Sequence, residues 1–147
     1  MTIAAVLQAK GPDVICVAAF TTVPDIAEII ASRRIGAVVV TDPDRNLIGI
    51  VSERDVVKAI AAEGAAALKR TAEDLMTRNV VTVAPETSVE RAMEMMDTGY
   101  FRHLPVVQGG ALVGIVSIRD LVKHRVMEQQ HEMERLRAGL TPPTAGR

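Results

Sequence analysis

The sequence LIGIVSERDVVK at residues 47–58 recurs as LVGIVSIRDLVK at residues 112–123, with nine of the twelve positions identical. Upstream, VICVA at residues 14–18 matches VVTVA at residues 80–84, at a spacing of 66 instead of 65 residues. The one-residue difference falls in a stretch rich in Asp, Pro, Asn and Gly, where a turn tolerates an insertion. The chain is therefore built on an internal duplication.

Each copy predicts elements in the order β-α-β-β-α. Short β-branched runs at residues 14–17 and 80–83 predict a first strand in each copy. The helix that follows begins after Thr22 in one copy and after Ser88 in the other. Asp25 lies three residues after Thr22 and completes a predicted capping box. Apolar residues at helical spacing then predict one buried face on each helix.

A hairpin and a second helix complete each copy. Ser52 and Ser117 each lie at the end of an apolar strand and at the start of the second helix. A unit of about 60 residues rarely buries enough apolar surface by itself. We therefore expect an α/β (α+β) fold in which the two β-α-β-β-α repeats pack about a pseudo-two-fold axis. The predicted hairpin strands are residues 37–40 with 47–51, and 104–107 with 112–116.

Three segments are expected along the chain. Residues 1–70 would form the first repeat with an N-terminal lead-in helix at residues 3–9, and residues 71–126 the second repeat. Residues 127–147 would form a helical extension that Gly139, Pro142 and Pro143 end, followed by a frayed tail. The apolar positions of this extension fit either a helix lying on its own domain or a contact between subunits.

Composition excludes several classes of protein. The 147 residues are 48% hydrophobic, and 17 Lys and Arg balance 18 Asp and Glu, which gives no electrostatic reason to bind nucleic acid or a membrane. No apolar run approaches the 18 residues of a spanning helix. The N-terminus lacks the features of a secretory signal, and the single cysteine, Cys16, indicates a reducing compartment. We therefore expect a cytoplasmic protein.

The repeated Ser-x-x-Asp string has two interpretations. Ser52 with Asp55, and Ser117 with Asp120, have the spacing of a helix capping box, which requires no ligand. The same atoms could also bind a nucleotide, because free N–H groups, a hydroxyl and the neighbouring arginine suit a phosphate, and the carboxylate suits a ribose diol. Residue spacing alone does not decide between them.

The paired Gly-Ile-Val-Ser-x-Arg-Asp strings, with YFRHLPVV at residues 100–107, resemble the cystathionine-β-synthase (CBS) domain, and their tandem arrangement resembles a stand-alone bacterial CBS pair. The resemblance covers residues 1–126. It implies two clefts between the repeats that bind adenosine-containing ligands such as AMP, ADP, ATP, NAD or S-adenosylmethionine. It also implies a flat homodimer that signals to an unknown downstream protein.

Carried over by position, the resemblance implies three groups of site residues. Asp55 and Asp120 would bind ribose hydroxyls. The ribose or phosphate would contact Ser52 and Ser117, and Arg54 and Arg119 would neutralise the phosphate. The base would lie against Cys16, Ala37, Val38, Val39, Thr82, His103, Leu104 and Pro105.

The two copies differ beside the phosphate. Arg102 and His103 supply donors in the second copy, where the first copy has Gly36 and Ala37. This difference predicts two inequivalent sites.

Other functions have less support in the sequence. The three histidines are not spaced with carboxylates or thiols as metal ligands, so we expect no metal site. No nucleophile has a candidate base in its motif, so we expect neither catalytic residues nor a catalytic cofactor. Cys16 lies in an apolar strand and is expected to be an inert core thiol, with a redox sensor as the alternative. A ligand-binding regulatory module is therefore the leading hypothesis, and a ligand-free dimeric scaffold is the alternative.

Overall fold

The computed structural model describes residues 1–140, and the predicted frayed tail, with Pro142 and Pro143, lies outside them. The fold is a mixed α+β arrangement of six α-helices, one short 3-10 helix and two small sheets within these residues, as expected. The elements in chain order are α1 Ile3–Lys10, β1 Cys16–Val17, α2 Val23–Arg33, β2 Ala37–Thr41, β3 Leu47–Ser52, α3 Glu53–Glu63, the 3-10 helix Gly64–Lys69, α4 Ala72–Leu75, α5 Val89–Gly99, β4 His103–Gln108, β5 Ala111–Ser117 and α6 Ile118–Leu140.

The two hairpins have equivalent strand pairing at the positions that the duplication predicts. In the first repeat, Ala37 on β2 pairs with Ser52 on β3. In the second, His103 on β4 pairs with Ser117 on β5. Each hairpin also carries one irregularity, between residues 40 and 41 and between residues 106 and 107. The start of β2 therefore lies beside the start of α3, and the start of β4 lies beside the start of α6.

The first strand of each repeat is shorter than predicted. Instead of residues 14–17, β1 contains only Cys16–Val17, which pair in parallel with β2. For residues 80–83 the strand prediction is wrong, because only an isolated bridge between Val83 and Val106 forms there. A proline gives the physical reason: Val39 N donates to Ile15 O, whereas Pro105, at the equivalent position of β4, has no N–H to donate.

Each repeat has its own apolar core, but each core is completed by a lead-in helix from the other repeat. Ile3 and Val6 of α1 are buried among residues of the second repeat, including Leu104 and Val116. Conversely, Ala72 and Met76, which precede the second repeat in sequence, are buried in the core of the first. This exchange ties the two repeats together in one fold.

The repeated glycine of the hairpins makes this exchange possible. A Cβ atom at Gly114 would lie 2.7 Å from a methyl carbon of Leu7 on α1, and one at Gly49 would lie 2.4 Å from the sulfur of Met76. Both distances are too short for a side chain, so glycine leaves the space that each crossing segment fills. The motif Gly-Ile-Val-Ser therefore encodes a packing contact as well as a strand end.

The predicted Thr22–Asp25 capping box does not form. The Thr22 side chain makes no capping hydrogen bond. Instead, Val23 N donates to Arg70 O, and Thr22 forms a bridge with Thr71 from the connecting segment. The helix start is thus satisfied by the crossing backbone, an interaction that local spacing does not reveal. The predicted cap at Ser88 is confirmed, since its Oγ accepts from Arg91 N.

The last helix is continuous through the predicted boundary at residue 126 and extends to Leu140. Its outer part exposes apolar side chains, and Met127 and Met133 are about half exposed. Within residues 1–140, no helix combines the length and apolarity needed to cross a membrane.

The exchange of lead-in helices predicts that α1 stabilises the second repeat. Ile3 is fully buried, so Ile3→Ala should lower the free energy of unfolding by about 2–5 kcal/mol. Gln8→Ala, an exposed position on the same helix, should change it by less than about 0.5 kcal/mol. Urea denaturation of both variants measures the difference, and an Ile3→Ala variant as stable as the parent would show that α1 is undocked in solution.

Candidate functional site

The two Ser-x-x-Asp strings form equivalent capped helix starts at the ends of β3 and β5. Ser52 N donates to Asp55 Oδ2 and Ser117 N to Asp120 Oδ2, both at 2.8 Å. In return, Ser52 Oγ accepts from Asp55 N at 3.3 Å, and Ser117 Oγ accepts from Asp120 N at 3.1 Å. The capping interpretation of both motifs is therefore correct at the level of local structure.

Capping uses only one oxygen of each carboxylate. Every hydrogen bond that Asp55 and Asp120 accept through their side chains ends on Oδ2. Within residues 1–140, neither Oδ1 atom has a hydrogen-bond partner. Because a carboxylate accepts hydrogen bonds on both oxygens, each group has an acceptor available for a ligand. Capping and ligand binding are thus compatible at the same residue.

A large cavity lies beside the second of these helix starts. This cavity, which we call cleft 1, has a volume of about 1080 Å³. The volume is comparable to that of the largest small-molecule sites of proteins. The cleft is formed by both repeats, because α2 and the start of β2 face the end of β5 and the start of α6 across it. Its charged and polar lining comprises Lys10, Asp13, Arg34, Glu53, Arg102, His103, Ser117, Arg119, Asp120 and Lys123.

A smaller cavity, cleft 2, lies at the corresponding place on the other side of the duplication. It has a volume of about 610 Å³ and brings α5 of the second repeat against Arg54 of the first. Its lining is Arg54, Met93, Glu94, Met96, Asp97, Tyr100, Phe101, Arg102 and Ile118. The two clefts thus differ in both volume and charge.

The structure brings some of the expected site residues together and separates others. Six of them line cleft 1: Ala37, Arg102, His103, Ser117, Arg119 and Asp120. Arg54 and Arg102 line cleft 2. Ser52 and Asp55 lie at the helix start next to Arg54 but do not line this cleft. The following expected residues line neither cleft: Cys16, Val38, Val39, Thr82, Leu104 and Pro105.

The buried members of this last group have a structural role. Val38, Val39 and Leu104 have no exposed surface, and Pro105 is also buried. Val38 packs in the apolar core of the first repeat and Leu104 in that of the second.

The prediction that Cys16 is a core thiol is wrong. The side chain of Cys16 is exposed, and its neighbour Ile15 faces cleft 1 in its place. The alternation of a strand explains this result, because successive side chains point to opposite faces. Partial burial nevertheless raises the pKa of the Cys16 thiol, against the effect of Arg45. The thiol is therefore mainly protonated at neutral pH, which is unfavourable for a reactive cysteine.

The ion pair between Lys10 and Asp120 is the main contact of the site that the sequence did not predict. Its Nζ atom lies 2.8 Å from Asp120 Oδ2 and donates a second hydrogen bond to Ile115 O at 2.9 Å. Partial burial raises the pKa of Asp120, but the hydrogen bonds from Lys10 and Ser117 outweigh it and leave this pKa below its ordinary value. The Asp120 carboxylate is therefore ionised throughout the neutral range.

The difference between the repeats at residues 36 and 102 follows from packing. A Cβ atom at Gly36 would lie 2.8 Å from Nε2 of His103, so the imidazole occupies the space that a side chain at Gly36 would need. Burial lowers the pKa of His103, although Glu53 and Asp120 act in the opposite direction. The imidazole is thus mainly uncharged at pH 7 and can donate or accept a hydrogen bond in the lining of cleft 1.

Comparisons with known proteins agree with this architecture. The family model of the CBS domain matches residues 10–62 and again residues 72–126. A CBS domain-containing protein of Arabidopsis thaliana mitochondria is 37% identical over 121 residues, which are 80% of this chain and 59% of that protein. The chain thus spans less than two thirds of this curated relative.

Solved structures show the same fold. A CBS-domain protein from Agrobacterium tumefaciens is 43% identical, with a TM-score of 0.82 over 84% of this chain and 92% of its own. The CBS domain pair of protein MJ0100, solved in complex with 5′-methylthioadenosine and S-adenosyl-L-methionine, is 25% identical, with a TM-score of 0.78 over 87% of this chain and 98% of its own. Together with the two family matches, these results show that the chain belongs to the CBS domain family and contains a tandem pair of CBS repeats.

Proposed function

We propose that this CBS pair is a regulatory module that binds an adenosine-containing nucleotide between its repeats, with cleft 1 as the principal site. The observation that carries the proposal is the position of Asp120. Its Oδ1 atom has no partner within residues 1–140, and the carboxylate lies beside a cavity that basic side chains line. A diol-binding acceptor next to anion-binding groups suits the sugar and phosphate of a nucleotide.

Seven of the residues that line cleft 1 have a proposed role in binding the nucleotide. Asp120 accepts hydrogen bonds from the ribose hydroxyls, and Ser117 lies beside it at the same helix start. The phosphate is neutralised by Arg119 and Arg102, with His103 as a neutral donor. Ala37 and Ile15 supply an apolar surface for the base. Apart from Ile15, which lines the cavity where the resemblance assigns Cys16, these roles use positions that the resemblance assigns, restricted to residues that line the cavity.

Cleft 2 is proposed as a second and weaker site. Asp55 Oδ1 has no hydrogen-bond partner in the part of the chain that the structure describes, and Arg54 faces the cavity, but Glu94 and Asp97 also line it. Two carboxylates near two arginines leave little net positive charge for a phosphate chain. The similar CBS pair solved with methylthioadenosine and S-adenosyl-L-methionine supports the proposal of an adenosyl ligand. We propose AMP, ADP, ATP or NAD as ligands of cleft 1.

Signalling would follow from a change in conformation or assembly. Because cleft 1 is formed by both repeats, a ligand bound there stabilises one relative arrangement of the repeats over another. The size of the effect equals the difference in ligand affinity between the two arrangements. The proposed role is binding without catalysis, since capping engages the hydroxyl groups of Ser52 and Ser117. A downstream protein would bind one arrangement of the repeats in preference to the other.

We also propose that the module is cytoplasmic, because a chain with Cys16 as its single cysteine suits a reducing compartment.

Replacement of the two proposed ribose-binding residues tests this function. Asp120→Asn should weaken AMP binding at cleft 1 by about tenfold to a hundredfold, since hydrogen bonds to a charged group are lost. Asp55→Asn should weaken the second site by a similar factor. Isothermal titration calorimetry with AMP, ATP and NAD measures both effects.

The matched control is Asp74→Asn. Asp74 accepts from the backbone N–H and hydroxyl of Thr71 at the start of α4, as Asp55 does from Ser52, but lines neither cleft. Its substitution should reproduce any loss of capping and leave AMP affinity unchanged. If Asp55→Asn and Asp120→Asn bind like the parent, or if the parent binds none of the three nucleotides, the ligand-free scaffold becomes the better hypothesis.

We also propose that the module is a homodimer, as the family resemblance implies. The equivalent helices α3 and α6 each expose apolar side chains: Ile60 is 45% exposed, and Val122 and Val126 are 44% and 46% exposed. An exposed apolar surface of this kind suits a two-fold contact, in which the same patch serves both subunits.

Charge at this surface should dissociate the dimer. The double substitution Ile60→Lys with Val126→Lys places two like charges on each side of the proposed contact, and sedimentation equilibrium should shift from twice the chain mass to the chain mass. Phe20→Ser, which removes an apolar side chain that is 80% exposed elsewhere, should leave the mass unchanged. A parent chain that sediments as a monomer would refute the homodimer.

A further inference from the structure

Lys10 extends from the end of α1 into cleft 1 and contacts the proposed ribose-binding carboxylate. Its ammonium group bonds both Asp120 Oδ2 and Ile115 O, and its side chain is 31% exposed against 23% for Asp120. Ser117 N donates to the same Oδ2 atom. Two donors therefore already occupy one of the two oxygens that a vicinal diol would engage.

Among the described residues, the equivalent carboxylate of the first repeat has no such lysine. Within residues 1–140, Asp55 Oδ2 accepts only from Ser52, through the backbone N–H and the hydroxyl at 3.0 Å. A serine hydroxyl rotates at little cost and leaves the oxygen to a ligand. The crossing of α1 into the second repeat is what creates the difference, because α1 brings Lys10 to one helix start only.

The energetic consequence of displacing the Lys10 ammonium group from Asp120 depends on the charge of the ligand that displaces it. The cleft already holds Arg34, Arg102, Arg119 and Lys123, and none of them forms an ion pair with residues 1–140. An uncharged nucleoside that binds both oxygens of Asp120 would leave Lys10 as a further unpaired cation among them. A nucleotide would instead supply a phosphate that an ammonium group can bind.

We infer that Lys10 makes cleft 1 selective for phosphorylated ligands, because it competes with the ribose for Asp120 and is compensated only when the ligand carries phosphate. The inference rests on the proposed function and adds a specificity determinant to it. Lys10 is thus both an internal competitor of nucleosides and a phosphate-binding group for nucleotides.

The experiment compares AMP with adenosine by calorimetry in the full chain, with Asp55→Asn present throughout to weaken cleft 2. Lys10→Met should raise the affinity for adenosine by roughly fivefold and lower that for AMP by a similar factor, so that the preference for AMP falls more than tenfold. Lys10→Arg keeps the charge and should retain most of the preference. Thermal unfolding of each variant verifies that it folds.

The matched control is Lys123→Met, which removes another lysine of cleft 1 that forms no ion pair with residues 1–140. It should lower AMP affinity without raising adenosine affinity. A parent that prefers AMP while Lys10→Met retains the same preference would overturn the inference and leave the proposed function intact. A parent that binds neither compound would overturn both.

Discussion

The packing of each lead-in segment into the core of the other repeat is the constraint on which the rest of the structure depends. Ile3 and Val6 complete the core of the second repeat, whereas Ala72 and Met76 complete that of the first. Neither repeat has a complete core from consecutive residues, so the two halves fold as one unit. The same exchange places the end of α1 beside Asp120, and therefore links core packing to the chemistry of cleft 1.

The helix caps show how a structural motif can also be a binding site. Asp55 and Asp120 use Oδ2 to satisfy the backbone at the helix start, while Oδ1 has no hydrogen-bond partner among residues 1–140. Capping fixes the orientation of each carboxylate before any ligand arrives, and this pre-organisation reduces the entropy lost on binding. The two interpretations of the Ser-x-x-Asp string are thus consistent with each other, and the surroundings of each carboxylate decide which ligand it suits.

The sequence predicted what the duplication repeats and missed what crosses between the copies. The hairpin strands and the two capped helix starts follow from local patterns that occur twice, and the structure confirms them. The missing strand at residues 80–83 also had a visible signal, since Pro105 cannot donate to a neighbouring strand. Lys10 had none, because its partner Asp120 is 110 residues away and the contact depends on the tertiary exchange of helices.

The most direct measurement is a crystal structure of the chain soaked with AMP. The account predicts ribose hydroxyls within hydrogen-bonding distance of the Asp120 carboxylate, a phosphate near Arg102 and Arg119, and the Lys10 ammonium displaced from Oδ2. Density for solvent alone in both clefts, with the contact between Lys10 and Asp120 intact, would contradict the account and leave a CBS pair that acts through protein contacts only.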